Sequence, residues 1–286
     1  LHCNFQLRGL ESFGDQQFIQ DYTSQNNIPL SFTQFDTETF AKDYKLSTQL
    51  AARELRYSWF YEQLEIQEGD YILTAHHADD NLETFFINLS RGTGLDGLTG
   101  IPAQNDTIIR PLLPFTRKEI EEYAEKQDLK WREDSSNASD KYLRNKIRHH
   151  LIPILKELNP NFMSSFEKTQ GYLQESKELV DDAAVMVYQQ VAKEKGDEIY
   201  FDLNQLLKLS NYKSYLYQWL TEFGFTAWDD IYDLATNQSG KQVFAPQFRL
   251  VKDREYLILS PLQESKAEKE FLIEENQIKV NFPLNL

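Results

Sequence analysis

The stretch Tyr71-Ile72-Leu73-Thr74-Ala75-His76-His77-Ala78-Asp79-Asp80-Asn81-Leu82-Glu83-Thr84 changes its period midway. A short apolar run after Gly69 reads as a strand, and Leu82, Phe85, Phe86 and Leu89 then recur at helical spacing as a buried stripe. Asp80 followed by Glu83 has the spacing of a helix cap and its reciprocal partner. A strand that feeds directly into an amphipathic helix is the elementary piece of an α/β fold. In such folds ligands collect beyond the carboxyl ends of the strands, which is where His76 to Asp80 fall.

The same alternation extends outward. Upstream, Leu1 to Phe5 read as a strand whose beginning lies before residue 1, a helix spans about Ser12 to Gln25, and Ile28, Leu30 and Phe32 alternate as a strand. Ser47 is placed to cap a helix carrying Leu50, Ala51, Leu55 and Trp59. Downstream, Thr116 and Glu119 form a second capping-box signature ahead of Ile120, Tyr123 and Ala124. These units predict an α/β domain with a mainly parallel, doubly wound sheet. From Phe162 to about Lys195 the pattern is helical throughout. Beyond Gly196 a compact helical segment is followed by strand-like runs at Gln242 to Ala245 and Phe248 to Leu259. The expected organisation is a catalytic domain over 1–160, a connecting helix over 161–196, a smaller helical domain ending in a hairpin over 197–262, and a linker over 263–286.

Composition narrows the class. The 286 residues are 41% hydrophobic, with one cysteine, Cys3, so a disulfide framework and a cysteine-rich zinc site are both excluded within them. No apolar run approaches the roughly 18 residues of a membrane span, and a soluble, cytoplasmic protein is expected. The formal net charge of −15 is the reverse of a simple nucleic-acid binder, so any RNA contact must be local. The candidate patch is Lys141, Arg144, Lys146, Arg148, His149 and His150, with Arg110, Arg117 and Lys118 nearby; a solvated helix face reads equally well.

Four blocks carry the chemistry. The first is Ala51-Ala52-Arg53-Glu54-Leu55-Arg56-Tyr57. In the second, Asp79 and Asp80 suit magnesium or a nucleotide's phosphates held through it, with Asp80 as a plain helix cap the alternative. Adjacent His76 and His77 point to opposite sides, which disfavours a two-histidine zinc site. In the third block, four of the eleven glycines lie between Gly92 and Gly100, directly after Arg91. Such a loop can take positive φ and turn N–H groups toward an anion, or it can be a flexible surface loop. In the fourth, Glu133-Asp134-Ser135-Ser136-Asn137 precedes Tyr142-Leu143-Arg144-Asn145-Lys146-Ile147-Arg148, and paired carboxylates there could seat a cation and accept its proton. Ser239-Gly240-Lys241 lacks the earlier glycine and the following Ser or Thr of a phosphate loop and reads as a turn. Tyr212, Tyr215, Tyr217, Trp219 and Trp228 could stack on bases, though core packing accounts for their spacing.

Taken in order, these blocks resemble the tRNA(Ile)-lysidine synthetase branch of the PP-loop ATP pyrophosphatases. The likeness runs from His2-Cys3-Asn4-Phe5-Gln6-Leu7-Arg8 through Pro153 and more weakly to Leu259. His-His-x-Asp-Asp is shared across several PP-loop tRNA enzymes. The Arg-Gly-x-Gly loop, Arg110-Pro111-Leu112-Leu113, Glu-Asp-x-Ser-Asn and Arg-Asn-x-Ile-Arg are what point to this branch. The resemblance implies an adenine nucleotide alpha hydrolase-like fold, ATP and magnesium as cofactors, and free L-lysine and an isoleucine tRNA with a wobble cytidine as substrates. It implies that the C2 oxygen of the cytosine attacks the α-phosphate of ATP, after which the lysine ε-amine attacks C2 and AMP leaves. On this basis Arg91, Glu133 and Asn137 are expected around the lysine and the base. His76, Asp79, Asp80, Gly92 and Gly94 are expected at the nucleotide, with Asp79 and Asp80 at the metal, and Arg110, Arg144, Lys146 and Arg148 at the RNA. Asp80, Arg91 and Glu133 should then share one hollow. The family's Ser-Gly-Gly-x-Asp-Ser loop is absent from these residues, so the segment alone is expected to be inactive and to bind ATP weakly, and a further C-terminal domain is expected beyond Leu286. A PP-loop sulfur transferase and a non-catalytic tRNA-binding module are the rival readings, and homodimer formation is left open.

Overall fold

A computed structural model describes residues 1–140 and 142–262. The expected linker over 263–286, and Lys141 of the basic patch, lie outside the described residues. Two compact units emerge, Leu1–Glu175 and a second from Ser176 onward.

The first unit alternates strands and helices. In chain order it holds β1 (His2–Asn4), α1 (Leu10–Gln25), β2 (Phe32–Gln34), α2 (Thr37–Asp43), α3 (Thr48–Ile66), β3 (Ile72–Leu73), α4 (Ala78–Arg91), α5 (Leu95–Leu98), β4 (Gln104–Asn105), β5 (Ile108–Ile109) and α6 (Arg117–Lys126). A helical run follows as α7 (Leu143–Lys146), a π turn over Ile147–Leu151, and α8 (Ile152–Leu158). β1 pairs with β2 in parallel and β3 with β5 in parallel, while β4 closes antiparallel on β5. The mainly parallel α/β architecture is therefore present.

Local signals act where they were expected. The Ser47 hydroxyl accepts the Leu50 N–H, and Thr116 and Glu119 complete a reciprocal capping box. Three expectations need correction. The helix after β3 starts at Ala78, so Asp80 is not its cap; its carboxylate reaches back to the His77 N–H at 3.1 Å. Leu89 is 51% exposed, whereas Leu82 is fully buried, so the stripe covers only the first part of α4. The strand read from Ile28 begins at Phe32, because the Ile28 N–H is spent closing α1 on the Thr23 carbonyl. The π turn has a covalent cause: Pro153 has no N–H for the His149 carbonyl and its ring crowds that turn.

α9 (Phe162–Val191) enters the second unit, which continues with β6 (Ala192–Lys195), β7 (Glu198–Asp202), α10 (Leu203–Leu206), α11 (Tyr212–Leu220), α12 (Trp228–Thr236), β8 (Gln242–Phe244), β9 (Phe248–Asp253) and β10 (Tyr256–Pro261). The strands form one antiparallel sheet in the order β6-β7-β10-β9-β8. The helical domain ending in a hairpin is thus corrected to a five-stranded sheet backed by helices. Ala192 to Lys195 leave the helix to become β6, and the run Phe248 to Leu259 is two strands that reverse at Arg254, whose φ is 50°. Phe201, Leu250, Leu257 and Leu259 pack against Leu216, Trp219, Leu220, Ile231 and Leu234. Trp219 stacks parallel on Phe201 and donates its indole N–H to the Ala184 carbonyl, a core role like that of Tyr212, Tyr215 and Trp228. Ser239-Gly240 is a turn, with Gly240 at φ 93° donating to the Lys252 carbonyl. Among the described residues no helix is long and apolar enough to cross a membrane.

Candidate active site

β3 ends one residue before Thr74, and the chain turns through His76 and His77 into α4, so the first turn of α4 sits at the carboxyl edge of the strands. Asp79 uses both carboxylate oxygens, one accepting the Arg117 N–H at 2.7 Å and the other the Lys156 ammonium at 3.1 Å. Burial alone would raise its pKa; the Arg117 N–H, Lys156 and neighbouring His77 together outweigh burial and hold it below the ordinary carboxylate value. Asp80 faces the His77 ring at 3.4 Å and the guanidinium groups of Arg144 and Arg148 at 3.7 and 3.9 Å. One turn further, Glu83 is fully buried and gripped by Arg148 through two bonds, 2.6 and 3.1 Å, while Arg144 donates to Thr84 at 3.0 Å. Arg148 lies in the π turn and also donates to Asn137 at 3.2 Å, which ties the acidic loop to α4. Buried Asn145 holds that loop from the other side through the carbonyls of Ser136 and Ser139.

Glu133 accepts from Arg117 at 3.2 Å and from the Trp131 indole at 3.0 Å. Its neighbours alternate in direction: Arg132 bonds Asp15 on α1 at 2.6 Å, and Asp134 meets Arg8 at 3.1 Å. Asp15 also binds Arg8, and Ser135 donates to Glu11, so the loop is strapped to the start of α1 by its even-numbered and serine positions while Glu133 faces the other way. Between them opens a cavity of about 500 Å³ lined by His77, Leu112, Arg117, Trp131, Glu133 and Asn137, among others. An apolar wall with a few converging polar groups is the usual form of a small-ligand site.

The structure thus brings Glu133 and Asn137 to one cavity, with Asp79 and Asp80 beside it. It does not bring Arg91 there. Arg91 ends α4, eleven residues from Asp80, or about 16 Å along the helix at the usual rise. The glycine loop lies at that same end, where the helix dipole is negative and repels anions. Gly92, at φ 73°, spends its N–H on the Leu89 carbonyl; Asn88 and Asn81 hold the loop back on α4 through the Gly97 carbonyl and the Ile101 N–H. Gly92 accordingly opens a fold-back turn at the carboxyl end of α4. Arg110 is corrected as well: it is buried and donates to the Pro102 carbonyl. Arg148 is committed to Glu83, so of the residues expected at RNA, exposed Lys146 and partly exposed Arg144 are the ones presented outward. His76 hydrogen-bonds Thr74, and its pKa is lowered, first by burial and then by Arg110, Arg144 and Arg53 nearby, with Asp80 opposing. The metal expectation fits poorly, since Asp79 is fully engaged by donors and Asp80 faces cations; among the described residues no group of three or more metal-binding side chains converges. Sequence reasoning missed His77 as a cavity wall, Glu83 as an ion-pair partner, and Lys156, Asp15, Arg8 and Arg132. Only the acidic and basic character of each was visible, with nothing local to pair them.

Residues 1–155, which carry this strand-end cavity, match the PP-loop domain, and the chain belongs to that family. Residues 194–262 match the TilS substrate binding domain. The chain is similar to the curated tRNA(Ile)-lysidine synthases of Parabacteroides distasonis (37% identical, covering 96% of this chain and 62% of that protein), Porphyromonas gingivalis (37%, 91% and 57%) and Bacteroides thetaiotaomicron (36%, 98% and 66%). It therefore spans under two thirds of the length of these relatives. Among solved structures, the U34-tRNA thiolase NcsA from Methanococcus maripaludis with its [4Fe-4S] cluster overlaps 60% of each chain at 16% identity, with a TM-score of 0.49.

Proposed function

We propose that this chain is the catalytic and substrate-binding part of an enzyme that joins free lysine to C2 of the wobble cytidine of an isoleucine tRNA at the expense of ATP. The observation that carries the reading is the likeness to tRNA(Ile)-lysidine synthases over nearly the whole chain, with a PP-loop domain and a TilS substrate binding domain in one polypeptide. In the first step the cytosine O2 attacks the α-phosphorus of ATP and pyrophosphate leaves. In the second the lysine ε-amine attacks C2, the C2–O bond breaks, AMP departs, and the amine's proton passes to a base.

The cavity supports the second step. Glu133 offers an exposed carboxylate to the lysine ammonium, Arg117 and the Trp131 indole N–H hold that carboxylate in place, and Asn137 supplies a polar group fixed by Arg148. Exposed Arg53, whose charge reaches His76, suits the phosphates of ATP. Arg144 and Lys146 would meet the RNA backbone. Asp79 accepts from Arg117 and Lys156, and Asp80 from the His77 N–H while facing Arg144 and Arg148, so neither carboxylate is free to take magnesium in this arrangement. A tRNA substrate places the enzyme in the cytoplasm. Sulfur transfer is not favoured: the one cysteine of these residues, Cys3, has its thiol pushed up to about 11, chiefly by burial, and is poorly suited to carry sulfur.

The test is incubation of the protein, expressed from its complete coding sequence, with ATP, labelled lysine and an isoleucine tRNA transcript, against parallel reactions with a sulfur donor. Lysine-dependent label in the tRNA, with AMP and pyrophosphate released, is expected. Label incorporated only from the sulfur donor would overturn the reading.

A further inference from the structure

In the first unit the chain leaves β1 for its parallel partner β2, and α3 then carries it back across β1 to β3, whose own parallel partner is β5. The contacts of α3 mark that crossing. Phe60 and Leu64 share a cavity of about 290 Å³ with Leu1, ahead of β1, and with Ile72 and Leu73 of β3. Neighbouring strands whose connections lead away in opposite directions open a crevice at their carboxyl ends, the usual ligand position in such folds. Phe5, directly after β1, and His76, shortly after β3, lie at those ends.

The stripe of α3 that follows the crossing holds Arg53, Arg56, Tyr57, Phe60 and Leu64, spaced by three and four residues. Its later half is apolar and its first half, at the carboxyl ends of the strands, carries two cations. The Arg56 guanidinium lies 5.1 Å from the centre of the Phe5 ring, and that of Arg53 lies 4.7 Å from the centre of Tyr57. Stacking of this kind fixes the plane of a guanidinium and leaves its N–H edge free to grip an anion. Among the described residues neither arginine has a carboxylate partner. The acids of α3 are Glu54, Glu62 and Glu65, which project roughly a third of a turn or more from the middle of the stripe. Asp36, ahead of α2, is spent on the N–H and hydroxyl of Thr39, and Asp80 faces Arg144 and Arg148. Arg56 is half-buried, where a charge without a counter-charge is costly, so an anionic ligand is what completes the pair.

Direction selects the anion. His77 lines the cavity assigned to lysine, whereas His76, Arg53 and Arg56 do not. Burial, and then Arg110, Arg144 and Arg53, lower the His76 pKa against the opposing pull of Asp80, so the charge of Arg53 reaches the His76 side of the strand end. In the first step the bond from the cytosine O2 to the α-phosphorus forms while the bond from that phosphorus to the bridging oxygen breaks, and pyrophosphate takes the electron pair. The entering and leaving oxygens stand roughly in line across the phosphorus. The base enters from the side of the lysine cavity, because its C2 must next meet the ε-amine there, and pyrophosphate therefore leaves on the other side. We propose that Arg53 and Arg56 hold this departing pyrophosphate, one phosphate group to each guanidinium, and take no part in lysine transfer. The assignment rests on the RNA-modifying reading above and adds to it two positioning residues and the step they serve.

The test uses the protein from its complete coding sequence. Calorimetry measures equilibrium binding of inorganic pyrophosphate and of AMP, and exchange of labelled pyrophosphate into ATP, with an isoleucine tRNA transcript and no lysine, isolates the first step. Arg53→Ala, at an exposed position, and Arg56→Met, which keeps an apolar stem against Phe5, should each weaken pyrophosphate binding by about tenfold or more, the worth of one hydrogen-bonded ion pair. Both should slow the exchange and leave AMP affinity and the KM for lysine unchanged. Arg53→Lys should fall between Arg53→Ala and wild type, because the charge stays and the two-point grip is lost. Unchanged pyrophosphate affinity in both variants would overturn the proposal. So would an equal loss for AMP, which would move the pair to the α-phosphate, or a loss of tRNA affinity with pyrophosphate binding intact, which would turn it toward the RNA backbone. If the wild type supports no tRNA-dependent exchange, the RNA-modifying reading itself fails; if the wild type exchanges and the variants match it, only this assignment does.

Discussion

Arg148 lies with its guanidinium edge against the fully buried carboxylate of Glu83, Nε to Oε1 at 2.6 Å and Nη2 to Oε2 at 3.1 Å. The pair joins the first turns of α4 to the π turn, and hydrogen bonding to Glu83 is the main reason the guanidinium's pKa is raised. A buried pair is costly to break because the survivor remains charged away from water. Arg148→Ala should destabilise the first unit by about 3 kcal/mol, read as a lower urea midpoint. Replacing both partners by methionine should recover much of that loss while leaving lysine transfer abolished, since Asn137 would lose its donor. Equal stability of Arg148→Ala and wild type would show that water already screens the pair.

Asp79 should give the first unit an acid-sensitive component. Its folded pKa lies below the ordinary 3.8, because the Arg117 N–H, Lys156 and His77 together outweigh the burial that opposes them. A depressed carboxylate contributes stability that is fully present above its unfolded pKa and is lost as pH falls through the folded one. Asp79→Asn should therefore cost about 1–2 kcal/mol at neutral pH, the worth of hydrogen bonds to a charged group, and the difference should close below the ordinary carboxylate range. Urea unfolding of both proteins from pH 7 to pH 3 checks this; a gap constant across that range would assign the loss to packing.

Much of the first unit was legible because its signals are local. Ser47, and Thr116 with Glu119, cap their helices within three residues, and the change of period at His76 does mark the strand end. What was not legible is set by distance or direction. Glu83 and Arg148 are 65 residues apart, and nothing near either one names its partner. The density of glycines after Arg91 suggested an anion nest, but only the helix direction reveals that the loop lies at the unfavourable end of the dipole. In the second unit Ala-Lys-Glu-Lys at 192–195 has no strand character of its own and continues a helix pattern; its pairing with β7 decides the outcome. Of the aromatic residues weighed as stacking platforms, Tyr212, Tyr215, Trp219 and Trp228 pack in or against the core, whereas Tyr217 is 40% exposed.

Cys3 offers a check on the rival chemistry that needs no substrate. Burial is the main cause that pushes its thiol up to about 11 from 9.0, with Arg56 opposing. Two units of pKa make the thiolate roughly a hundredfold scarcer at pH 8 than in an ordinary cysteine. Iodoacetamide should therefore label the native protein far more slowly than glutathione, with the difference erased in urea. Labelling of the native protein at the glutathione rate would return Cys3 to consideration as a sulfur carrier.

Arg91 and Arg117 separate the two ways of locating the lysine site. Block order placed Arg91 beside the lysine, yet it is exposed at the far end of α4 from Asp80, on the side of the glycine turn, where a cation simply suits the helix carboxyl terminus. Arg117 instead lines the cavity and holds Glu133, with hydrogen bonding to Glu121 the main cause of its raised pKa. Arg117→Ala should raise the KM for lysine by tenfold or more, about 1.4 kcal/mol of binding, because Glu133 loses the partner that fixes it, whereas Arg91→Ala should leave that KM within about twofold of wild type. Steady-state lysine titrations at saturating ATP and tRNA measure both. A tenfold rise in the Arg91 variant beside a normal Arg117 variant would move the lysine site to the glycine end of α4 and remove Glu133 from the reaction.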